Sequence, residues 1–486
     1  MITENSREET RKIKIFIVGA GKTGETVLAL FKKEGKENEI LGFVDDNESK
    51  KGSVVSGKKI YGNINDLPFL IKQFDANEII IAIPSKRSEI TRKVLSLTAE
   101  TNAVIKIIAD NDKSLDKNTT LVEYVRKVNI EDSLIRSRIK MDLSLISKYF
   151  NGKVVLITGA GGSIGSELTR EIRKFNPSKI ILLGRGENRI FSISREIKEK
   201  DSYFSAIPVI CDIKNKKKID YIFEKYKPEI VIHAAAHKHL GLMEKNPDEA
   251  ITNNILGTKI LLDASLKYGS KIFINLSTDK AVEAVSYMGA SKRIVEMMLQ
   301  YYNGKNGLRC ASVRFANGLD TSGNVITAFA KQLEESKTLR ITDPNMERYF
   351  MLTSEAVQLV LQSIPLIRKN DIFILNVGEP IRIKDLAKNY IKLSGYELGY
   401  NANITIIGNE NNEKRVEKLY SNVEKIEKTE NEKILRVISP KLVLDEKSFN
   451  IKIDKLINLA ENMEMDEATK ILEELDSSIK LSLKEN

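Results

Sequence analysis

Two stretches carry the residues best suited to chemistry. In Ser277-Thr278-Asp279-Lys280 a carboxylate and an amine stand side by side just past the apolar run Ile272–Leu276. Residues at the carboxyl ends of parallel strands point into the ligand crevice, so this pair can offer an acid and a base to one substrate edge. The other stretch is Thr158-Gly159-Ala-Gly-Gly162-Ser163-Ile164-Gly165, spaced Gly-x-x-Gly-x-x-Gly. Glycines in a strand-to-helix turn let a pyrophosphate approach the helix N-terminus closely. Such a turn is a weak signal alone. Here it is followed in order by Cys211-Asp212-Ile213, His233-Ala234-Ala235-Ala-His237, Asn253-Asn254, Thr278-Asp279-Lys280 and Met288-Gly-Ala-Ser-Lys292. The ordered set is a strong signal.

A second glycine turn lies upstream. Gly19-x-Gly21-x-x-Gly24 follows a strand and opens a helix, and Asp45 stands 21 residues past Gly24 (45 minus 24), where an acid can bond a ribose hydroxyl. Nothing after it in that region supplies a reacting group. Two readings stay open: a binding or regulatory nucleotide site at Gly19, Gly21, Gly24 and Asp45, or a scaffold of the same shape with an empty pocket. The three histidines His233, His237 and His239 invite a metal, but no cysteine or carboxylate nearby completes a ligand set. The expectation is no metal.

These residues need strands and helices to position them. Apolar runs at Ile13–Val18, Ile40–Val44, Ile79–Ile83 and Val104–Ile108 alternate with helical patterns, which predicts a parallel α/β sheet. A second series begins at Val154–Thr158 and continues through Lys179–Leu183, Ala206–Ile210, Ile230–His233, Ile272–Leu276 and Arg309–Arg314. The predicted fold class is α/β with two Rossmann-like doubly wound sheets. The expected organisation is a polar leader over 1–12, a nucleotide-binding domain over 13–110, and a linker over 111–150. A dinucleotide-binding catalytic domain with a substrate part follows over 151–439, and a helical segment over 440–486.

Composition bounds the rest. The chain has 486 residues, 42% hydrophobic and 30% charged, as expected of a globular protein with a sizeable core. No run approaches 18 apolar residues and the start is polar, so neither a transmembrane anchor nor a secretory signal is expected, and cytoplasm is the default. Two cysteines make no disulfide framework. The net charge of +10 is spread out; its densest run, Lys214–Lys218, reads as a solvated helix start, and no nucleic-acid partner is expected.

The quoted residues, with Met243-Glu-Lys-Asn-Pro247, Thr342-Asp-Pro-Asn-Met346, Arg348-Tyr-Phe-Met351 and Gly378-Glu-Pro380, resemble the extended short-chain dehydrogenase/reductase superfamily. More closely, they resemble its polysaccharide biosynthesis family of nucleotide-sugar 4,6-dehydratases. The larger members carry N-terminal membrane helices, and a soluble form is implied here. The resemblance implies a retained NADP or NAD, a UDP-sugar substrate (UDP-N-acetylglucosamine first) and a homo-oligomer. It implies hydride removal from C4, loss of water across C5 and C6, and hydride return to C6. Asp279 is then the acid for the C6 oxygen, Lys280 the C5 base, and Thr278 a partner of the C4 oxygen. Lys280 must be partly neutral, which burial and a neighbouring cation would favour.

Lys292 would bond the nicotinamide ribose. Four residues earlier most superfamily members have a tyrosine; Met288 stands here, as in the larger 4,6-dehydratases, and methionine accepts no proton. Tyr287 is about 100° away around a helix. This argues against the alternative of a nucleotide-sugar epimerase. The implied cofactor contacts are Gly159, Gly162, Ser163, Ile164, Gly165, Arg185, Asp212, Ile213, Ala234, Ala235, Asn254 and Lys292. Gly184-Arg185 replaces the usual acid after the second strand, which points to NADP ahead of NAD, although Glu187 can restore NAD binding. His237, Lys238, Asn317 and Arg348 are the implied substrate contacts. The family pattern is weakened at Asp320 and Ser322, and again at 411–420, where only Glu417 and Lys418 keep it. Those losses favour a second alternative, a nucleotide-sensing protein with a degraded site.

Overall fold

The computed structural model describes residues 12–481 apart from 86, 100, 110–119, 131, 133–141, 320, 322, 369–370, 409–412 and 439–443. Nearly all of the polar leader, Asp320, Ser322, residues 411–412 and, in the expected linker, 111–119, 131 and 133–141 therefore lie outside the described residues. The chain divides into two compact units, one formed by 1–138, 332–339 and 385–404, the other by 139–331, 340–384 and 405–486.

The first unit holds a seven-stranded sheet. Its strands are β1 (Ile15–Val18), β2 (Ile40–Val44), β3 (Val54–Val55), β4 (Lys58–Gly62), β5 (Glu78–Ile81), β6 (Val104–Ile108) and β7 (Val125–Lys127), in the order β3-β4-β2-β1-β5-β6-β7. The core strands are parallel, and β3 and β7 run antiparallel at the edges. Helix α1 (Lys22–Lys33) begins inside the glycine turn, with Gly21 as its cap. Residues 125–127 were expected in a linker, yet they hydrogen-bond to β6 and complete the sheet.

The second unit holds a nine-stranded sheet. Six parallel strands come first: β8 (Val154–Thr158), β9 (Lys179–Gly184), β10 (Ala206–Ile210), β11 (Ile230–His233), β12 (Ile272–Thr278) and β13 (Arg309–Phe315). Then follow β14 (Asp371–Leu375), β15 (Lys425–Lys428) and β16 (Ile434–Ile438). Their order is β10-β9-β8-β11-β12-β13-β14-β16-β15. The chain reverses direction across the sheet between β8 and β11, and the crevice at such a switch point is where α/β sheets bind ligands.

Both faces are covered, so the strands read as continuous apolar runs rather than alternating ones. On one face Val155, Ile157, Ile180 and Leu182 meet Leu168 and Ile172 of α2 (Ser163–Arg173) and Phe150 of the helix Leu143–Phe150, a segment expected in the linker. On the other, Leu156, Ile181 and Phe273 meet α3 (Gly257–Lys267) and α4 (Tyr287–Tyr302). Helices α5 (Glu446–Glu461) and α6 (Met465–Leu475) close this second core with Phe449, Ile453, Leu456, Ile471 and Leu472. A π-helical stretch, Ala250–Leu256, runs into α3.

Candidate active site

The glycine turn of the second unit joins β8 to α2. Gly159 has φ +67°, and a Cβ on it would lie 2.8 Å from the Ala235 nitrogen. A Cβ on Gly165 would lie 2.2 Å from the Gly159 oxygen. Glycine is required at both positions, and α2 begins at Ser163 with Gly162 as its cap. The turn, the helix start and the buried Lys292 amine fit a dinucleotide, whose pyrophosphate such a turn can hold.

Strand β12 ends at Thr278, so Asp279 and Lys280 begin a short turn at the carboxyl edge of the sheet. Thr278 Oγ1 donates to Asp279 Oδ1 at 2.9 Å. Lys280 Nζ donates to Asp279 Oδ1 at 3.1 Å and to Asn317 Oδ1 at 3.3 Å. Glu417 Oε1 lies 3.7 Å from the same ammonium. Asp279 is fully buried, and its Oδ2 has no hydrogen-bond partner among the described residues; neither has Oε2 of the buried Glu417. Burial works against the charge on Lys280, and Arg348 adds to that, but Asp279 and Glu417 outweigh both and raise its pKa. Asp279 and Glu417 thus favour the charged form of Lys280, against the partly neutral side chain that the resemblance requires of a C5 base.

Lys292, one turn along α4 from Met288, is buried, and burial lowers its pKa to about 8 against the pull of Glu296. Its Nζ reaches Asn275 Oδ1 at 3.5 Å. Met288 packs against Met243 and Ala250. The Tyr287 hydroxyl bonds Thr469 Oγ1 at 2.7 Å, on α6.

His233 bonds Thr158 Oγ1 at 2.7 Å through Nδ1 and Thr258 Oγ1 at 2.9 Å through Nε2. The Thr258 hydroxyl donates to the Asn254 carbonyl, so it accepts from Nε2–H, and Nδ1 accepts from Thr158. Burial, helped by Lys292, drops the His233 pKa to about 3. Among the described residues no group of three or more His, Cys, Asp or Glu is placed to hold a metal.

Other sequence candidates take varied places. The Asn254 side chain accepts the His237 N–H at 2.8 Å and donates to Ser291 Oγ at 2.9 Å, which pins the loop after β11 to α4. His237 Nε2 pairs with Glu249 at 3.2 Å; burial and Arg185 lower its pKa against that carboxylate. Lys238 and Arg185 are exposed, and Asp212 accepts the Lys214 N–H at 2.8 Å. The Ile213 side chain is buried against Gly257 in the core. Arg348 is also buried. It donates to the carbonyls of Glu347 and Lys414 at 2.8 Å, to that of Arg415 at 3.2 Å, and to Glu413 Oε2 at 2.9 Å. Its guanidinium thus fixes the segment that carries Glu417.

Sequence reasoning missed three carboxylates. Glu296 and Glu424 clamp Arg314 from two sides, and Ser277 donates to Glu296 at 2.6 Å. Glu417, which keeps the family pattern within the altered stretch 411–420, sits beside Lys280. The only signal was a lone acid in an otherwise altered motif.

In the first unit Gly19 has φ +105°, and a Cβ on Gly24 would lie 2.0 Å from the Gly19 oxygen. Gly21 has open space around its Cα. Asp45 accepts the N–H groups of Ala20 at 2.8 Å and Asn47 at 3.0 Å, and pairs with Lys50 at 3.3 Å. Its carboxylate thus already takes two backbone N–H groups and one ammonium.

A Rossmann sheet with a glycine turn, a Thr-Asp-Lys turn at the end of the fifth parallel strand and a lysine on the following helix defines an extended short-chain dehydrogenase/reductase. A family model described as polysaccharide biosynthesis protein matches residues 155–439, and one described as C2185-like, N-terminal matches 11–105. The chain belongs to the polysaccharide biosynthesis protein family.

It is 41% identical over 78% of its length to the capsular polysaccharide biosynthesis protein CapD of Staphylococcus aureus, and spans 64% of that protein. It is 34% identical to a Campylobacter jejuni UDP-N-acetylglucosamine 4,6-dehydratase (inverting), over 49% of this chain and 71% of that one. A Rickettsia canadensis UDP-glucose 4-epimerase is 33% identical over 56% and 79%. Among solved structures, Pen from Bacillus thuringiensis matches with TM-score 0.55 and 27% identity over 60% of this chain and 91% of that one. No helix among the described residues is long and apolar enough to cross a membrane.

Proposed function

We propose that this chain is a nucleotide-sugar 4,6-dehydratase that retains NADP or NAD and acts first on UDP-N-acetylglucosamine. The reading rests on one observation: a buried Asp279 with an unpartnered oxygen, next to Lys280, at the mouth of a dinucleotide fold. The glycine turn, α2 and Lys292 would hold the cofactor, which when bound supplies a hydride acceptor for C4 and returns that hydride to C6.

The protein groups move the protons. Thr278 accepts the C4 hydroxyl proton and passes its own to Asp279 along their 2.9 Å hydrogen bond. Asp279 gives that proton to the C6 oxygen, which leaves as water. Lys280 removes the C5 proton and later returns it. The proton account closes, since the water leaving C6 carries the proton lost at O4. The name and 34% identity of the Campylobacter relative support the substrate choice. Met288 opposes the epimerase alternative, because it offers no proton-transfer atom. The intact acid and amine oppose a degraded nucleotide sensor.

Incubating the purified chain with UDP-N-acetylglucosamine and following the sugar nucleotide by mass spectrometry tests this. Loss of one water with no net change in nicotinamide absorbance is expected. An unchanged mass across a panel of nucleotide sugars would overturn the reading in favour of the sensor.

A further inference from the structure

Lys280 poses a problem for the chemistry just described, on which this inference rests. A lysine must be neutral when it takes a proton, and Lys280 lies between two carboxylates that favour its charge. The site contains one group placed to relieve this. Glu417 Oε1 is 3.7 Å from Lys280 Nζ, its Oε2 has no hydrogen-bond partner among the described residues, and the side chain is buried. Asp279 is nearer at 3.1 Å, but it already accepts the Thr278 hydroxyl on the same oxygen and is committed to the C6 oxygen. Glu417 is also held firmly. Arg348 bonds the carbonyls of Lys414 and Arg415, and Glu347 N–H bonds the Arg415 carbonyl at 2.8 Å.

We propose that Glu417 is a positioning residue that takes the proton from Lys280 and so makes it the C5 base. The proton moves from Nζ to the Glu417 carboxylate, leaving an amine and a carboxylic acid. The amine lone pair takes the C5 proton; the C–H electron pair forms the C5–C6 double bond as the C6–O bond breaks. When Lys280 returns its proton to C5, Glu417 gives the stored proton back and the pair is reset. Burial raises the Glu417 pKa against the pull of Lys280, which suits an acceptor that must be protonated for part of each turnover. The other charged groups facing the pair are Asp279, Arg348 and Lys414, and Lys414 in turn faces Glu283.

The test is the pH dependence of water elimination by Glu417→Gln and Glu417→Asp, with the parent chain as reference. A carboxylate that only tuned Lys280 electrostatically would give a clear opposite sign. Removing that anion lowers the lysine pKa, enlarges the amine fraction and speeds Glu417→Gln at pH 7. An acceptor gives a loss instead, of about 100-fold in kcat at pH 7. KM should change little, and the rate should climb back toward the parent as hydroxide takes over deprotonation of Lys280. Glu417→Asp keeps the carboxylate and should show a smaller loss with the same recovery, which covers the case in which the amide variant does not fold. A Glu417→Gln rate equal to or above the parent at pH 7 overturns the proposal. So does a loss that is uniform across pH with a raised KM, in either variant. A parent chain that eliminates no water from any nucleotide sugar sinks the dehydratase reading and this proposal together, whereas an active parent with the overturning variants sinks the proton transfer alone.

Discussion

Arg314 and Glu296 form a two-point ion pair in the interior of the second unit: Nε donates to Oε1 at 2.9 Å and Nη2 to Oε2 at 2.8 Å, with both side chains fully buried. Glu424 takes the opposite edge of the guanidinium at 2.8 and 2.9 Å, and Ser277, the residue before Thr278, donates to Glu296. The network therefore joins α4, β13 and the end of β12. Arg314→Met should cost about 3–5 kcal/mol, because it leaves two carboxylates buried without the guanidinium that pairs them. Denaturant unfolding measures this, and a loss below about 1 kcal/mol would show that the network relaxes without strain.

Asp279→Asn keeps the shape of the side chain and removes the proton it must deliver to the C6 oxygen. Elimination should fall by about 100-fold or more while the fold survives, as circular dichroism would show. An amide variant that eliminates water at the parent rate removes the acid assignment. C4 oxidation, seen as a transient rise in nicotinamide absorbance, should fall as well, since Asp279 also takes the proton that Thr278 passes on along their hydrogen bond.

Tyr287 and Met288 divide the question of the missing tyrosine between them. The Tyr287 hydroxyl is bonded to Thr469 and its backbone N–H to Glu244, so it ties α4 to α6. Tyr287→Phe should cost about 1 kcal/mol in stability and leave turnover within about threefold. Met288→Leu conserves volume and should do the same. A hundredfold loss of kcat in Tyr287→Phe would identify it as an acid–base group after all.

The strands were legible because buried parallel sheets write themselves as continuous β-branched runs; Val154–Thr158 and Ile230–His233 match residue for residue. The glycine turn and Thr278-Asp279-Lys280 were legible for a related reason, since local chain geometry fixes both. What failed was non-local. Edge strands such as Val125–Lys127 are short and half polar, so nothing in their sequence separates them from a linker. The company kept by Glu417, Glu296 and Arg348 depends on segments far apart in the chain, and the protonation of Lys280 depends in turn on that company.

His233 supplies the last prediction, through pH. Its folded pKa of about 3 lies below its ordinary value of 6.5, so the folded chain holds it neutral between two threonine hydroxyls. The unfolded chain binds its proton more readily throughout that interval. The stability contributed is therefore present above pH 6.5 and is lost as pH falls from there toward about 3. One proton differs between the states, so the slope approaches about 1.4 kcal/mol per pH unit, and the fall from pH 6.5 to 5 should cost roughly 2 kcal/mol, before most carboxylates titrate. His237, half-buried and also shifted down, adds a smaller part in the same direction. His233→Gln should be less stable than the parent at pH 8 but lose less between pH 6.5 and 5. Urea unfolding at a series of pH values gives both slopes. Equal slopes would mean that His233 accepts its proton without leaving the fold, and that the β8 to α3 contact through its ring is looser than the two hydrogen bonds require.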